Sequence, residues 1–231
     1  MATSGTTSFD LSIEEIIQEA YERCGMTTTS GHSLKSARIS LNLLFAEWAN
    51  RGIHLWKVSL NEVALVSGTA QYAVNESVSD VLEAYISSTA AASDNANTQD
   101  VALTKIDRSA YSALPNKLAI GQPSQYYVDR QTTPQIFLYQ APDLNTYTTL
   151  KFYTINRIQD AGAYHKKADV VFRFLPCMVA GLAYYLSIKN APQLVQQNKL
   201  IYEDDLKRAL DEDGQRASTF ITPQSFYPQG I

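Results

Sequence analysis

The hydrophobic period of this chain changes twice, from helical spacing to strand alternation near residue 57 and back to helical spacing near residue 157. A helix buries residues three and four apart and a strand buries alternate ones, so the two patterns cannot share one element. The switches predict two helical stretches with a β stretch between them. The fold class then depends on how the three pieces hide their apolar faces.

From Ser12, the residues Ile13, Ile16, Ile17, Ala20, Tyr21 and Cys24 fall on one helical face, and Gly25 stops the helix. Ser12 with Glu15 is a capping box, Leu11 and Ile16 stand as its hydrophobic staple, and Glu14 and Glu15 suit the positive end of the dipole. A second helix begins near Ser33, carries Leu34, Ala37, Leu41, Leu44, Phe45 and Trp48 on one face and ends at Gly52. After Gly162 a third stripe runs through Ala168, Val171, Phe172, Leu175, Val179, Leu182 and Leu186, where Pro176 must kink or interrupt it. The fourth starts at Pro192 and passes through Leu194, Ile201, Leu206 and Leu210 to Gly214.

Between them, Val58–Val66, Ala70–Val74, Val81–Ser87, Val101–Ile106, Gln125–Arg130, Gln135–Gln140 and Thr148–Ile155 read as strands. Neither helix pair can bury its stripe alone, so the two pairs must meet. The expected fold is therefore α+β: a four-helix bundle from residues 1–57 and 157–217, with a β-sandwich or barrel-like domain, 58–156, inserted between helices 2 and 3. Residues 218–231 would form an extended arm.

With 231 residues, 45% of them hydrophobic, the chain has material for a core, which excludes disorder as its dominant state. Nineteen basic against 23 acidic residues argue against a surface that grips nucleic acid by neutralising phosphates. Only 18% of residues are charged, below the usual quarter or so, so much of the exterior must be neutral and polar or covered by other subunits. No apolar run reaches membrane-spanning length, and MATSGTTSFD lacks the basic and apolar regions of a leader, which predicts synthesis and retention in the cytoplasm. Cys24 and Cys177 lie far apart at helical core positions and read as two buried thiols.

Candidate chemistry is sparse. His32, His54 and His165 have no metal-ligand spacing, and no glycine-rich loop opens a helix to cradle phosphate, so no catalytic, metal or cofactor residue is expected. Glu203, Asp204 and Asp205, then Asp211, Glu212 and Asp213, could be imagined as ligands. Lys199, Lys207 and Arg208 lie three or four residues from them, and a solvated face laced with ion pairs is the better account. Tyr126, Tyr127, Phe137, Tyr139, Tyr147, Phe152 and Tyr153 could stack on sugars or bases, but alternate strand aromatics usually fill an interior. Neighbours such as Tyr126 and Tyr127 must put one ring on each face. The polar, aperiodic stretch from Ser88 to Gln99 has the composition of a loop tip. In the arm, Phe220, Ile221, Phe226 and Tyr227 are apolar anchors, while Pro223 and Pro228 forbid a continued helix; a frayed end and a docking arm both fit.

Three stretches carry a resemblance. PSQYYVDRQTTPQIFLYQAPD is a Tyr-rich strand, a polar turn and a second strand ending at a proline. YEDDLKRALDEDGQRAS is a last helix followed by an extended tail, and FAEWANRGIHLWKV places a tryptophan near the end of the second helix. In this order they resemble the head-to-tail adaptors of short-tailed bacteriophages, a family also called tail tubular protein A, tail accessory factor or packaged-DNA stabilisation protein.

The resemblance implies a dodecameric ring in the virion neck, assembled in the host cytoplasm, that joins the portal protein to the tail nozzle protein and retains packaged DNA. Phe220, Ile221, Pro223, Phe226 and Tyr227 would be the portal-binding arm, and a β-domain loop with Ser93, Asp94, Asn95 and Asn97 would meet the nozzle or a neighbouring subunit. DNA would pass through the channel without sequence-specific binding, and no cofactor is implied. Some relatives are credited with cell-wall hydrolysis, so a virion-associated cell-wall hydrolase is the alternative. A glycan-binding module using exposed aromatics is a third reading.

Overall fold

The computed structural model describes residues 5–6, 9–27, 31–53, 55–88 and 98–213. Among them are five α-helices and ten strands in three sheets. Helices α1 (Ile13–Arg23) and α2 (Gly31–Asn50) come first. Strands β1 (Val58–Ala64), β2 (Gln71–Ala73), β3 (Val78–Ser87), β4 (Asp100–Ala102) and β5 (Thr104–Lys105) precede the short helix α3 (Arg108–Ala113). Then come β6 (Ile120–Gly121), β7 (Gln125–Asp129), β8 (Gln135–Tyr139), β9 (Ala141–Pro142), β10 (Thr149–Asn156), α4 (Leu175–Asn190) and α5 (Val195–Asp213).

The α1 terminus is built as its sequence dictates. The Ser12 amide donates to Glu15 Oε2 at 2.7 Å and the Glu15 amide donates to Ser12 Oγ at 3.3 Å, which satisfies two donors that a helix start leaves bare. Gly25 follows the last turn at φ +69°, the left-handed conformation that glycine adopts without a Cβ clash.

The helices do not form the expected four-helix bundle. α4 is buried on every side: Cys177, Met178, Val179, Ala180, Gly181, Leu182 and Ala183 are seven consecutive interior residues. α1, α2 and α5 each pack against it, so α4 is a central post and not one of four equal members sharing a stripe. A helix buried all round is apolar all round. Of the two outcomes expected at Pro176, interruption is the one found: α4 begins only at Leu175, after a 3-10 turn over Phe172–Phe174. In the first turn the proline's missing N–H costs nothing. α5 also differs from expectation. It buries Asn198, Tyr202, Leu206 and Ala209, leaving Ile201 and Leu210 exposed.

The β part is not the expected seven-strand sandwich or barrel either. One sheet has the order β1-β10-β3-β4, a second β2-β8-β7-β5, and a third holds only β6 and β9. β5 with β7 and β6 with β9 pair in parallel, and the other pairs are antiparallel. The single strand expected over Val101–Ile106 breaks at buried Leu103, whose amide donates to the Ala84 carbonyl at 2.9 Å. Its first half therefore pairs with β3 and its second half with β7. The inner residues of the two larger sheets share one apolar cluster, including Val81, Ile86, Tyr126, Ile136, Leu138, Leu150 and Phe152. The helical cluster is separate and draws on residues from Ile13 to Ile53 and from Ile158 to Ala209.

Candidate functional site

Phe220, Ile221, Pro223, Phe226 and Tyr227 lie outside the described residues, as do Ser93, Asp94, Asn95, Asn97 and His54. The aromatics of the β part are described, and they divide as neighbouring strand residues must. Tyr126 is buried, and its hydroxyl donates to the Leu82 carbonyl at 3.1 Å. Leu82 sits where the β3–β10 register slips between Glu83 and Val81, which turns its side chain outward. Tyr127 and Phe137 are half-buried on the other face, 5.8 Å apart between ring centroids. Tyr111 of α3 lies 5.5 Å from Tyr127 and 5.8 Å from Phe137, and Lys117 approaches the Tyr111 ring at 5.7 Å. The outward rings are thus partly capped by α3.

Three acidic residues of α5, Glu203, Asp204 and Asp213, are held in ion pairs. Glu203 accepts two hydrogen bonds from Arg51, both at 2.9 Å, which tie it to the residue that follows α2, and the charge of Lys199 on its own helix adds to the attraction. Asp204 pairs with Arg208 one turn on, and Asp213 pairs with Arg173 ahead of α4. Among the described residues no group of three His, Cys, Asp or Glu is placed to hold a metal. Both cysteines are buried thiols, and burial pushes Cys177 up to about 12, far from the thiolate that nucleophilic chemistry needs.

A groove of about 480 Å³ lies between α1 and the start of α4. Its floor and walls are Phe9, Leu11, Phe172, Leu175, Pro176 and Val179. Phe9 is 66% exposed and Phe172 67%, so two phenyl rings stand in water at its edges. The opposite rim is the polar face of α1: Glu15, Gln18, Glu19, Glu22 and Arg23. Arg23 bonds Glu19 at 3.0 Å, Gln18 donates to Glu22 at 3.0 Å, and Ser12 holds the Glu15 carboxyl below the usual carboxylate range. Three carboxylates against one guanidinium make the rim acidic. The groove was missed in the sequence because Phe172 read as part of a helical stripe; placing Pro176 in a first helical turn would have set Phe172 ahead of the helix.

Two further apolar surfaces lie on the helices. Ile39 and Leu43, one turn apart on α2, are 50% and 54% exposed, and on α5 Leu200 is 63% exposed beside Ile201. On the outer face of the first sheet, exposed Leu60 lies opposite exposed Tyr153.

No protein-family model matches the chain, and neither does any of the curated proteins with which it was compared. No helix among the described residues is long and apolar enough to cross a membrane.

Proposed function

We propose that the protein is a structural component of the virion neck of a short-tailed phage, a head-to-tail adaptor that repeats as a ring between the portal protein and the tail nozzle protein. The observation that carries the reading is the pair of unlike apolar patches, Ile39 with Leu43 on α2 and Leu200 with Ile201 on α5. Large apolar side chains left 42–63% exposed suit protein contacts. Two different patches suit head-to-tail contacts, which close into rings when the rotation between copies allows. The sequence resemblance to the adaptor family supports the same reading. Phe220, Ile221, Pro223, Phe226 and Tyr227 then act as the arm that engages the portal, and DNA passes through without being read.

The test mixes the purified protein with the portal ring of the same phage and weighs the product by native mass spectrometry. Saturation at one copy per portal subunit is expected, with Leu43→Glu lowering the occupancy. An intact portal that takes up none of the folded protein overturns the adaptor reading.

A further inference from the structure

We infer that the groove between α1 and α4 is the seat of this chain's own segment 214–231, which folds back across it and inserts Phe220 between Phe9 and Phe172. Three observations converge on that occupant. First, α5 ends at Asp213, and Asp213 is ion-paired with Arg173, the residue next to Phe172 in the groove wall. The segment therefore starts beside the groove. Phe220 lies seven positions beyond Asp213, a reach of about 23–25 Å when extended, against about 16 Å for the whole length of α1.

Second, the charges are complementary. The groove rim carries Glu15, Glu19 and Glu22 against Arg23, whereas residues 214–231 contain one arginine, Arg216, and no acidic residue. Third, the shapes agree in kind. An apolar trough open along one side accepts one face of an extended segment, with Phe220 turned in and its neighbour Ile221 turned out towards the rim, and Pro223 and Pro228 hold such a segment out of helix. A tethered segment meets its own groove at an effective concentration in the millimolar range, which favours it over a second molecule in dilute solution. The seat is a feature of the unassembled chain and holds whether or not the segment later engages a portal.

Disulfide trapping in the full-length protein tests this. Gln18, exposed on the groove rim, is changed to cysteine together with Ile221→Cys; the native thiols Cys24 and Cys177 are buried. The reference pair is Lys207→Cys with Ile221→Cys, on an exposed α5 position that is much nearer along the chain, so a segment without a seat would close that ring more readily. Under mild diamide oxidation, the groove pair is expected to form an intramolecular bond on the order of tenfold faster than the reference pair. Phe172→Asp should remove that preference. Equal rates for the two pairs overturn the proposal. A bond that forms only between chains, with a rate that rises with protein concentration, also overturns it and assigns the groove to a second copy.

Discussion

The indole nitrogen of Trp48 donates to the phenol oxygen of Tyr202 at 3.0 Å, joining α2 to α5 across 154 residues of sequence. Both side chains are buried, and Tyr202 also stacks on Tyr184 of α4, 6.2 Å between centroids, so this bond closes the helical layer around the central helix. Tyr202→Phe keeps the ring and removes the acceptor. The indole N–H is then left in a dry interior, which should cost about 1–3 kcal/mol in a urea melt. Trp48→Phe combined with Tyr202→Phe should lose about 1 kcal/mol less than the sum of the single losses. Strict additivity would show that the bond contributes nothing.

Gly181 sits where α2 and α5 both press on α4. A Cβ there would lie 2.9 Å from Leu44 Cδ1 and 2.9 Å from Tyr202 Cε2. Alanine gains about 1 kcal/mol of helix propensity over glycine, but overpacking costs about 1–3 kcal/mol. The Leu44 methyl can swing aside, whereas the Tyr202 ring is pinned by Trp48, so the clash wins. Gly181→Ala is expected to lower the urea midpoint, and Gly181→Val to lower it further. A midpoint raised by alanine would mean that the helices separate freely at this crossing.

What the sequence made legible was local. Ser12 and Glu15 are three residues apart and act on each other, and Tyr126 and Tyr127 diverge because neighbouring strand residues must. α4 was legible as a buried helix through its stripe of Leu175, Val179, Leu182 and Leu186, but not as one buried all round, because Cys177, Met178, Ala180, Gly181 and Ala183 gain that meaning only once α1, α2 and α5 surround them. The break at Leu103 depends on two sheets lying side by side, which alternation within one strand does not encode. α5 shows the same limit differently. It carries two sets of apolar residues, and only Tyr202, meeting Trp48, selects which set turns inward. The groove joins Phe9, the polar face of α1 and the residues before Pro176, three places that no periodicity connects.

Arg51, one residue past the end of α2, bridges Glu47 of that helix and Glu203 on α5, and it holds the Glu203 carboxyl below its ordinary value of 4.5. A carboxylate with a depressed folded-state pKa adds stability that is complete above the unfolded value and disappears as pH falls through the folded one. The pair is partly exposed and screened by solvent, so its contribution is about 0.5 kcal/mol. Glu203→Gln should therefore be slightly less stable than the parent near neutral pH and equal to it in acid. It should also lose most of its difference in high salt. A difference that persists unchanged into acid would assign the effect to packing and not to charge.

The alkaline limit is set by buried phenols. Burial, with Asp80 and Glu83 nearby, raises Tyr126 from 10 to about 12, and burial together with its hydrogen bond to Glu47 raises Tyr185 to about 12. A phenol whose folded-state pKa is raised contributes stability that is fully present below 10 and is lost as pH climbs from 10 to about 12. Tyr126→Phe removes the hydrogen bond to the Leu82 carbonyl, which should cost about 1 kcal/mol near neutral pH. It also removes a group that must ionise on unfolding in alkali, so the gap between parent and variant should narrow steadily over that range. Urea melts at a series of pH values, with phenolate absorbance followed in parallel, measure both quantities. If the gap stays constant through the range, Tyr126 ionises in the folded protein as readily as in the unfolded chain, and the seal that Leu82 and the two sheets form over its hydroxyl is open to water.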